Sequence, residues 1–146
     1  PKSRGSIHIK STNPNEHPKI VANYLEHFDD QKAIVNGLKM LRKLANQMAL
    51  TKLIKKEVRP GAQIKDYDDL LKYAKNTGQT CWHSVGTCKM GPDEKSVVNL
   101  NLKVNGVQGL RIADGSVLPH LVSSNTNAPI LMIGERCSEF VIEEFK

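Results

Sequence analysis

The chain has 146 residues, of which 39% are hydrophobic and 25% are charged, and this composition is typical of a folded globular protein rather than a disordered one. No apolar run approaches the roughly 20 residues that a membrane-spanning helix needs. The net charge is +6, but the basic residues are scattered among acidic ones and aromatic residues make up only 5% of the chain, so the composition argues against a nucleic-acid-binding surface. The cysteine count of 3 is odd, which argues against a disulfide framework and leaves the redox compartment open.

The first part of the chain predicts two strands and an amphipathic helix. Residues 4–11 alternate apolar and polar side chains, as a half-buried strand does, and residues 19–24 predict a second, short strand. Apolar residues at steps of three and four predict a helix over residues 30–48, which Asp29 or Asp30 would cap. The apolar side of this helix is predicted to consist of Ile34, Leu38, Leu41, Ala45 and Met48.

A second helix is predicted over residues 66–76, because its apolar residues share one side and Gly78 follows its end. Residues 51–58 are basic and their structure is ambiguous. Further along, residues 96–107 alternate weakly and predict a strand. Its apolar face would be formed by Val98, Leu100, Leu102 and Val104.

The last part of the chain predicts a tight turn, a short strand and a terminal helix. Asn105–Gly106 is a strong turn dipeptide, and residues 110–113 predict a strand. Pro129 is tolerated in the first turn of the helix that follows. The buried stripe of this helix is predicted to contain Ile130, Ile133, Cys137 and Val141.

The segment 80–91 has the composition of an irregular functional loop. Two glycines within six positions, Gly86 and Gly91, indicate backbone that turns or approaches another group closely. His83 lies just before them, and histidine is the side chain that exchanges a proton most readily near neutral pH. We therefore predict that this corner presents His83 to a reacting substrate, although a lone histidine is more often an ordinary surface or core residue.

Cys81 and Cys88 flank His83 and raise the question of a metal site. Their spacing does not match a usual zinc pattern, and no second pair of ligands lies nearby in the sequence. The better interpretation is that the two cysteines are small, buried side chains. The sequence therefore predicts no metal site.

Two further motifs allow both a structural and a functional interpretation. Asp114–Gly115–Ser116 follows a predicted strand and is either an ordinary turn or a ligand-binding edge. Asn125 and Asn127 precede the last helix, where they would act as a cap and a turn residue. A helix N-terminus also attracts negative charge, so the two interpretations of these asparagines are compatible.

Three ordered motifs over residues 80–136 resemble the C-terminal region of the glucose–methanol–choline (GMC) oxidoreductases. The start of the chain, Arg4–Ile7 with Ser11–Pro14, resembles the start of the same region, so the resemblance spans essentially the whole chain. The sequence of these motifs is most similar to that of the FAD-dependent glucose dehydrogenase-like members from insects. The motifs are Trp82–Gly91, Val104–Ser116, and Asn125–Pro129 followed by Ile133–Arg136.

The resemblance implies a flavoprotein that oxidises an alcohol by hydride transfer to N5 of FAD. The position of the family's catalytic histidine is occupied by His83, as base or hydrogen-bond partner of the substrate hydroxyl. A second catalytic position, which is His or Asn in the family, is occupied by Asn125. The resemblance also implies that FAD is contacted by Trp82, Asp114, Gly115, Thr126 and Asn127.

The resemblance further implies an α+β fold, with a mostly antiparallel sheet covered by helices on one face. Residues 1–79 would belong to the substrate-binding domain, and residues 80–146 would form the last part of the FAD-binding domain. The chain begins Pro-Lys-Ser and contains no Gly-x-Gly-x-x-Gly, so we expect the N-terminal FAD-binding half to be missing and the fragment alone to be inactive.

The expected partners are a small-molecule alcohol and the missing N-terminal half, with no nucleic acid. The compartment stays open, although relatives of this kind are often secreted. The alternative function is a non-catalytic binding module that keeps the fold. The joint presence of His83, Asn125 and Asp114–Gly115 argues against this alternative.

Overall fold

The computed structural model describes all residues, Pro1–Lys146, and the chain divides into two compact units, Pro1–Gln79 and Thr80–Lys146. None of its helices combines the length and the apolar character required to span a membrane. The elements in chain order are β1 (Ser6–His8), β2 (Lys19–Val21), α1 (Phe28–Ala45), α2 (Met48–Thr51), α3 (Tyr67–Thr77), a 3-10 helix (Gly115–Val117) and α4 (Asn127–Glu144).

The first unit begins with a small antiparallel ribbon in which β1 pairs with β2 and Ile7 lies opposite Ile20. Both predicted strands exist, but each is three residues long. This ribbon is the only sheet in the 146 residues. The chain therefore combines helices with a small antiparallel sheet, as an α+β fold does, but a larger sheet covered by helices is not observed.

The start of α1 differs from the prediction, because the N-cap is His27 and neither aspartate. The ring atom Nδ1 of His27 accepts a hydrogen bond of 3.1 Å from the backbone N–H of Asp29. The carboxylate of Asp30 instead accepts bonds from the N–H and hydroxyl of Ser3 and from the N–H of Lys2. The Ser3 hydroxyl, followed by these N–H groups, holds the pKa of Asp30 far below its ordinary value.

The buried side of α1 also differs from the predicted one. Val35 is fully buried, whereas the predicted core residues Ile34 and Leu41 are exposed. The true inner side contains Gln31, Val35, Leu38, Arg42 and Ala45. Because α1 carries apolar residues on two sides, periodicity alone does not decide which side packs against α3.

Helix α3 follows its prediction closely. It lies between Asp66 and Gly78 and buries Leu70 and Ala74. The N–H of Gly78 donates a 2.8 Å bond to the carbonyl of Ala74, and a Cβ on Gly78 would come within 2.5 Å of that carbonyl oxygen. Glycine is therefore needed here for close backbone approach.

Arg42 fixes the loop between α2 and α3. Its guanidinium pairs with the carboxylate of Glu57 at 2.7 Å and donates to the carbonyls of Gly61 at 3.0 Å and Ile64 at 2.6 Å. The hydrogen bonds from Arg42 keep the pKa of Glu57 below its ordinary value. The side chain of Arg42 thus bonds to three residues of this loop, whose first part, residues 51–58, was ambiguous from the sequence.

The second unit has a core formed by few fully buried side chains, and the predicted strand over residues 96–107 is absent. The side chain of Asn99 accepts the N–H groups of Asn101 and Lys103, and Leu102 takes a left-handed φ of +61°. The chain therefore turns sharply, which buries Leu102 but exposes Leu100. The core consists of Val98, Leu102, Val117 and Ile133.

Of two other predictions for this unit, one is wrong and the other is confirmed in part. Residues 110–113 form no strand, since their only ladder contact is an isolated bridge between Arg111 and Lys103. Helix α4 includes Pro129 in its first turn and buries Ile133, as predicted. Near its end, however, Phe140 packs against the core, while Val141 is exposed.

Candidate active site

The segment around His83 has the irregular backbone that its composition predicts. Gly86 has a φ of +89°, and Trp82 also lies in the left-handed region with a φ of +57°. A bulky residue rarely takes this conformation, which is commonest where surrounding structure imposes it. Trp82 is 79% exposed, so the surface of its indole ring is accessible to solvent next to His83 in the sequence.

Backbone hydrogen bonds attach this segment to the 3-10 helix. The N–H of Cys88 donates to the carbonyl of Ser116 at 3.0 Å, and the N–H of Met90 donates to the carbonyl of Val117 at 2.8 Å. Val117 is fully buried in the core of the unit. The loop that carries His83 is therefore held by the core.

The motif Asp114–Gly115–Ser116 is a helix start rather than an open turn. The Asp114 carboxylate accepts the N–H of Ser116 at 2.7 Å and so caps the 3-10 helix. A Cβ built on Gly115 would lie 3.0 Å from Cδ1 of Ile130 and 3.8 Å from the carbonyl oxygen of Ser84. Gly115 thus marks the place where the His83 segment, the 3-10 helix and α4 come together.

The imidazole of His83 has a neighbour at each ring nitrogen. Its Nδ1 lies 2.9 Å from Oγ1 of Thr126, and its Nε2 lies 3.3 Å from Oδ1 of Asn125. Thr126 is 5% exposed, whereas Asn125 is an exposed residue. The ring is therefore directed with Nδ1 toward the interior and Nε2 toward the accessible side.

This arrangement has the groups needed for proton transfer to or from a small molecule. A neutral imidazole accepts a proton on whichever nitrogen lacks one, and here Nε2 is the accessible nitrogen. The amide of Asn125 can present either its oxygen or its NH₂ group, because a rotation of the amide exchanges them. Asn125 is thus suited to orient a hydroxyl group beside Nε2.

The N-terminus of α4 lies next to this pair. Its N-cap is Thr126, whose side chain makes no capping hydrogen bond, and its first turn contains no acidic residue. Asn127 and Ala128 in this first turn are exposed. Unpaired N–H groups and the helix dipole make such an end favourable for negative charge.

Five of the seven predicted site residues have a local role that the structure defines. His83, Asn125 and Thr126 form one hydrogen-bonded cluster, and Asp114 and Gly115 build the 3-10 helix beside it. Trp82 and Asn127 are exposed, and only the backbone N–H of Trp82 has a side-chain partner, the hydroxyl of Thr80. The contact of Thr126 with His83 was missed, because 43 positions separate the two residues and no local pattern links them.

The structure gives no sign of a metal centre among the 146 residues, since no group of three or more histidine, cysteine or acidic side chains converges. Its cysteines are free thiols. Cys81 is exposed, while Cys88 and Cys137 are half-buried. Cys137 packs against the core, which is an ordinary role for a small apolar side chain.

Comparison with known proteins identifies close relatives over almost the whole chain. The chain is 39% identical over 144 residues to an alcohol dehydrogenase [acceptor] of Pseudomonas putida, covering 99% of this chain and 26% of that protein. It is 38% identical over 137 residues to an oxygen-dependent choline dehydrogenase of Cronobacter sakazakii, covering 94% of this chain and 24% of that protein. The chain thus spans about a quarter of the length of the curated relatives it matches.

Solved structures have the same fold. A FAD-dependent oxidoreductase from Chaetomium thermophilum superimposes with a TM-score of 0.93 at 29% identity, over 99% of this chain and 25% of that one. A fungal aryl-alcohol oxidase superimposes with a TM-score of 0.85 at 26% identity, over 99% of this chain and 24% of that one. The fold is therefore that of the corresponding quarter of these flavoproteins.

The profile of one protein family, described as GMC oxidoreductase, matches residues 1–134, which is nearly the entire chain. The match agrees with the named relatives and solved structures. The chain belongs to the GMC oxidoreductase family and corresponds to its C-terminal domain.

Proposed function

We propose that this chain is the C-terminal part of an FAD-dependent oxidoreductase that oxidises a primary or sugar alcohol. The observation that carries the proposal is the position of His83, which is bonded at Nδ1 to buried Thr126 and reaches exposed Asn125 with Nε2. The relatives support the reaction class, since they include an alcohol dehydrogenase and an aryl-alcohol oxidase.

The residues around His83 fit a flat aromatic cofactor that gains negative charge on reduction. The exposed indole of Trp82 offers an aromatic surface, and the first turn of α4 offers N–H groups without an acidic side chain. Gly115 leaves no side chain between the His83 segment and Ile130. When FAD is bound, it supplies the acceptor for the hydride of the alcohol, because no amino-acid side chain accepts hydride.

In this proposal His83 removes the hydroxyl proton of the substrate at Nε2. Loss of hydride from the carbinol carbon requires that this proton leave the oxygen, and a positioned base typically accelerates such a step by roughly 10²–10⁴-fold. Asn125 holds the substrate oxygen near Nε2 but does not act as a second base, because an amide does not take up a proton near neutral pH. The first turn of α4 stabilises negative charge that develops nearby.

The two compact units would have different roles in the whole protein. We assign Pro1–Gln79 to the substrate-binding domain and Thr80–Lys146 to the FAD-binding domain. The remainder of each domain, including a glycine-rich FAD anchor, would lie in the part of the whole protein that these 146 residues do not span. On this assignment the 146 residues alone are inactive. From the resemblance to insect glucose dehydrogenases we also propose an extracellular location.

The test is the variant His83→Ala in the full-length protein, with His8→Ala on β1 as a matched control. We expect His83→Ala to keep its bound flavin but to slow flavin reduction by a primary alcohol at least about 100-fold. The control should reduce its flavin at the rate of the unmodified protein. Anaerobic stopped-flow absorbance measures both rates.

Normal flavin reduction in His83→Ala would refute the assignment of the base. A full-length protein that purifies without flavin colour and instead captures a partner would favour the alternative, a non-catalytic module. The same experiment compares reduction by a primary alcohol with reduction by a sugar, and the faster of the two identifies the substrate class.

A further inference from the structure

The shortest contact of the His83 ring is with Thr126, and this contact is on the buried side. The distance between Oγ1 of Thr126 and Nδ1 of His83 is 2.9 Å, while the contact of Nε2 with Asn125 is 3.3 Å and exposed. A short contact in a buried place restrains the ring more than a long one that water can replace. Thr126 is therefore the residue that orients the imidazole.

The same contact bears on which nitrogen of His83 carries the proton. A neutral imidazole has one N–H, and the hydrogen bond at one nitrogen determines the state of the other. If Nε2 is to accept a proton from a substrate, Nδ1 must already carry the hydrogen. That hydrogen needs an acceptor in the interior, and Oγ1 of Thr126 is the acceptor within reach. The atom 3.3 Å from Nε2 is Oδ1 of Asn125, itself an acceptor, so this tautomer also requires the Asn125 amide to turn its NH₂ group toward Nε2.

Thr126 has no competing side-chain role in the helix. It is the N-cap residue of α4, the position where a threonine hydroxyl usually accepts an N–H of the first turn, yet its side chain makes no such bond. Its hydroxyl is instead paired with His83. The hydroxyl is thus committed to the ring rather than to a capping interaction in the helix.

We propose that Thr126 is a positioning residue that selects the Nδ1–H tautomer of His83 and thereby leaves Nε2 free as the base. This inference rests on the proposed function of His83. It differs from the role in FAD contact that the sequence predicts for Thr126. Nδ1 carries its hydrogen both before and after Nε2 takes up a proton, so the Thr126 oxygen accepts the same bond in both states.

The experiment uses the full-length flavoprotein with ¹⁵N-labelled histidine rings, in the unmodified form and as Thr126→Val and Thr126→Ser. Valine has the shape of threonine without the hydroxyl, whereas serine keeps the hydroxyl. Thr77→Val is the matched control, since the Thr77 hydroxyl bonds only to the carbonyl of Tyr73 in α3. The His83 signal is assigned by its loss in His83→Gln.

In the unmodified protein we expect neutral His83 to show a protonated Nδ1 and an unprotonated Nε2. Thr126→Val should reverse this pattern and slow flavin reduction about tenfold or more at saturating alcohol, with flavin content unchanged. Thr126→Ser should restore the tautomer and most of the rate. Thr77→Val should match the unmodified protein in both measurements.

An unmodified protein whose neutral His83 carries its hydrogen on Nε2 would overturn the inference without any variant. So would a Thr126→Val protein with normal tautomer and normal rate. If His83→Ala still reduces its flavin at the ordinary rate, the proposed function itself fails. If that variant is inactive while Thr126→Val behaves normally, only the inference about Thr126 fails.

Discussion

Gly115 and Ile130 approach each other so closely that a Cβ on Gly115 would lie 3.0 Å from Cδ1 of Ile130. Gly115 begins the 3-10 helix, and Ile130 lies in the first turns of α4. A contact of this length is tighter than carbon atoms normally tolerate, since their optimal separation is about 3.5–4.0 Å. A side chain at residue 115 would therefore require the end of the Ile130 side chain to move by a few tenths of an ångström.

We predict that Gly115→Ala lowers the free energy of unfolding by about 1 kcal/mol and weakens retention of flavin in the full-length protein. The added methyl group must displace Ile130 or shift the start of α4. Chemical denaturation and the flavin content after dialysis measure the two effects.

Gly134→Ala is the matched control, because nothing lies within 4 Å of a Cβ at this position in α4. Alanine is the better helix former, so this variant should be as stable as the unmodified protein or more stable, by up to roughly 1 kcal/mol. Equal behaviour of the two variants would show that the contact of Gly115 with Ile130 is not restrictive.

For Asn125 we predict that substitution by alanine slows flavin reduction by a primary alcohol about 10-fold, a smaller loss than that from His83→Ala. The amide orients the substrate oxygen but does not take up its proton, so part of the rate should survive. The apparent affinity for the alcohol should fall as well. Stopped-flow reduction at several alcohol concentrations separates the two effects.

Asn76→Ala in α3 provides the comparison for Asn125→Ala, since this exposed asparagine makes no side-chain hydrogen bond. It should leave both the rate and the affinity unchanged. A loss in Asn125→Ala as large as that in His83→Ala would contradict the division of roles between the two residues.

Arg42 gives a prediction about stability and its pH dependence. We expect Arg42→Met to lower the free energy of unfolding at pH 7 by about 1–2 kcal/mol, because Glu57 loses its partner in a partly buried place. The side chains of Arg42 and Glu57 are 23% and 27% exposed, so solvent weakens but does not abolish the pair. Urea unfolding measures the loss.

The pH dependence follows from the direction of the shift at Glu57. Its pKa in the folded chain lies below the ordinary value of 4.5, so the stabilisation is present above about pH 4.5 and is lost as the pH falls through the folded-state pKa. The difference in stability between the unmodified protein and Arg42→Met should therefore shrink on acidification. A difference that stays constant from pH 7 to pH 3 would rule out this pair as its source.

The sequence predicted the helices well, because their signals are local. Helix α3 is confirmed within one residue at each end, since Asp66 and Gly78 mark its limits. The inner side of α1 was predicted only in part: Leu38 and Ala45 lie on it, but Ile34 was chosen in place of Val35, because both lie on plausible apolar stripes. The choice between them depends on the packing of α1 against α3, which is a tertiary property.

The strand predicted over residues 96–107 failed for a different reason. Alternating apolar residues satisfied the pattern, but the side chain of Asn99 bonds to the backbone two and four residues later and turns the chain. The same limit applies to the site. His83 and Asn125 were singled out by motif, whereas the bond between His83 and Thr126 depends on how two distant segments meet.

Hydrogen bonds join Cys88 to Ser116 and Met90 to Val117. They connect the segment that carries His83 to the interior of the second unit. His83 lies in the segment that contains Cys88 and Met90. The segment that contains Ser116 and Val117 continues toward Asn125 and α4. If His83 and Asn125 have the roles proposed for them, a substitution that enlarges or shrinks Val117 would alter the distance between the proposed base and the proposed substrate-orienting amide without touching either. Packing around Val117 would then set the alignment of these two groups.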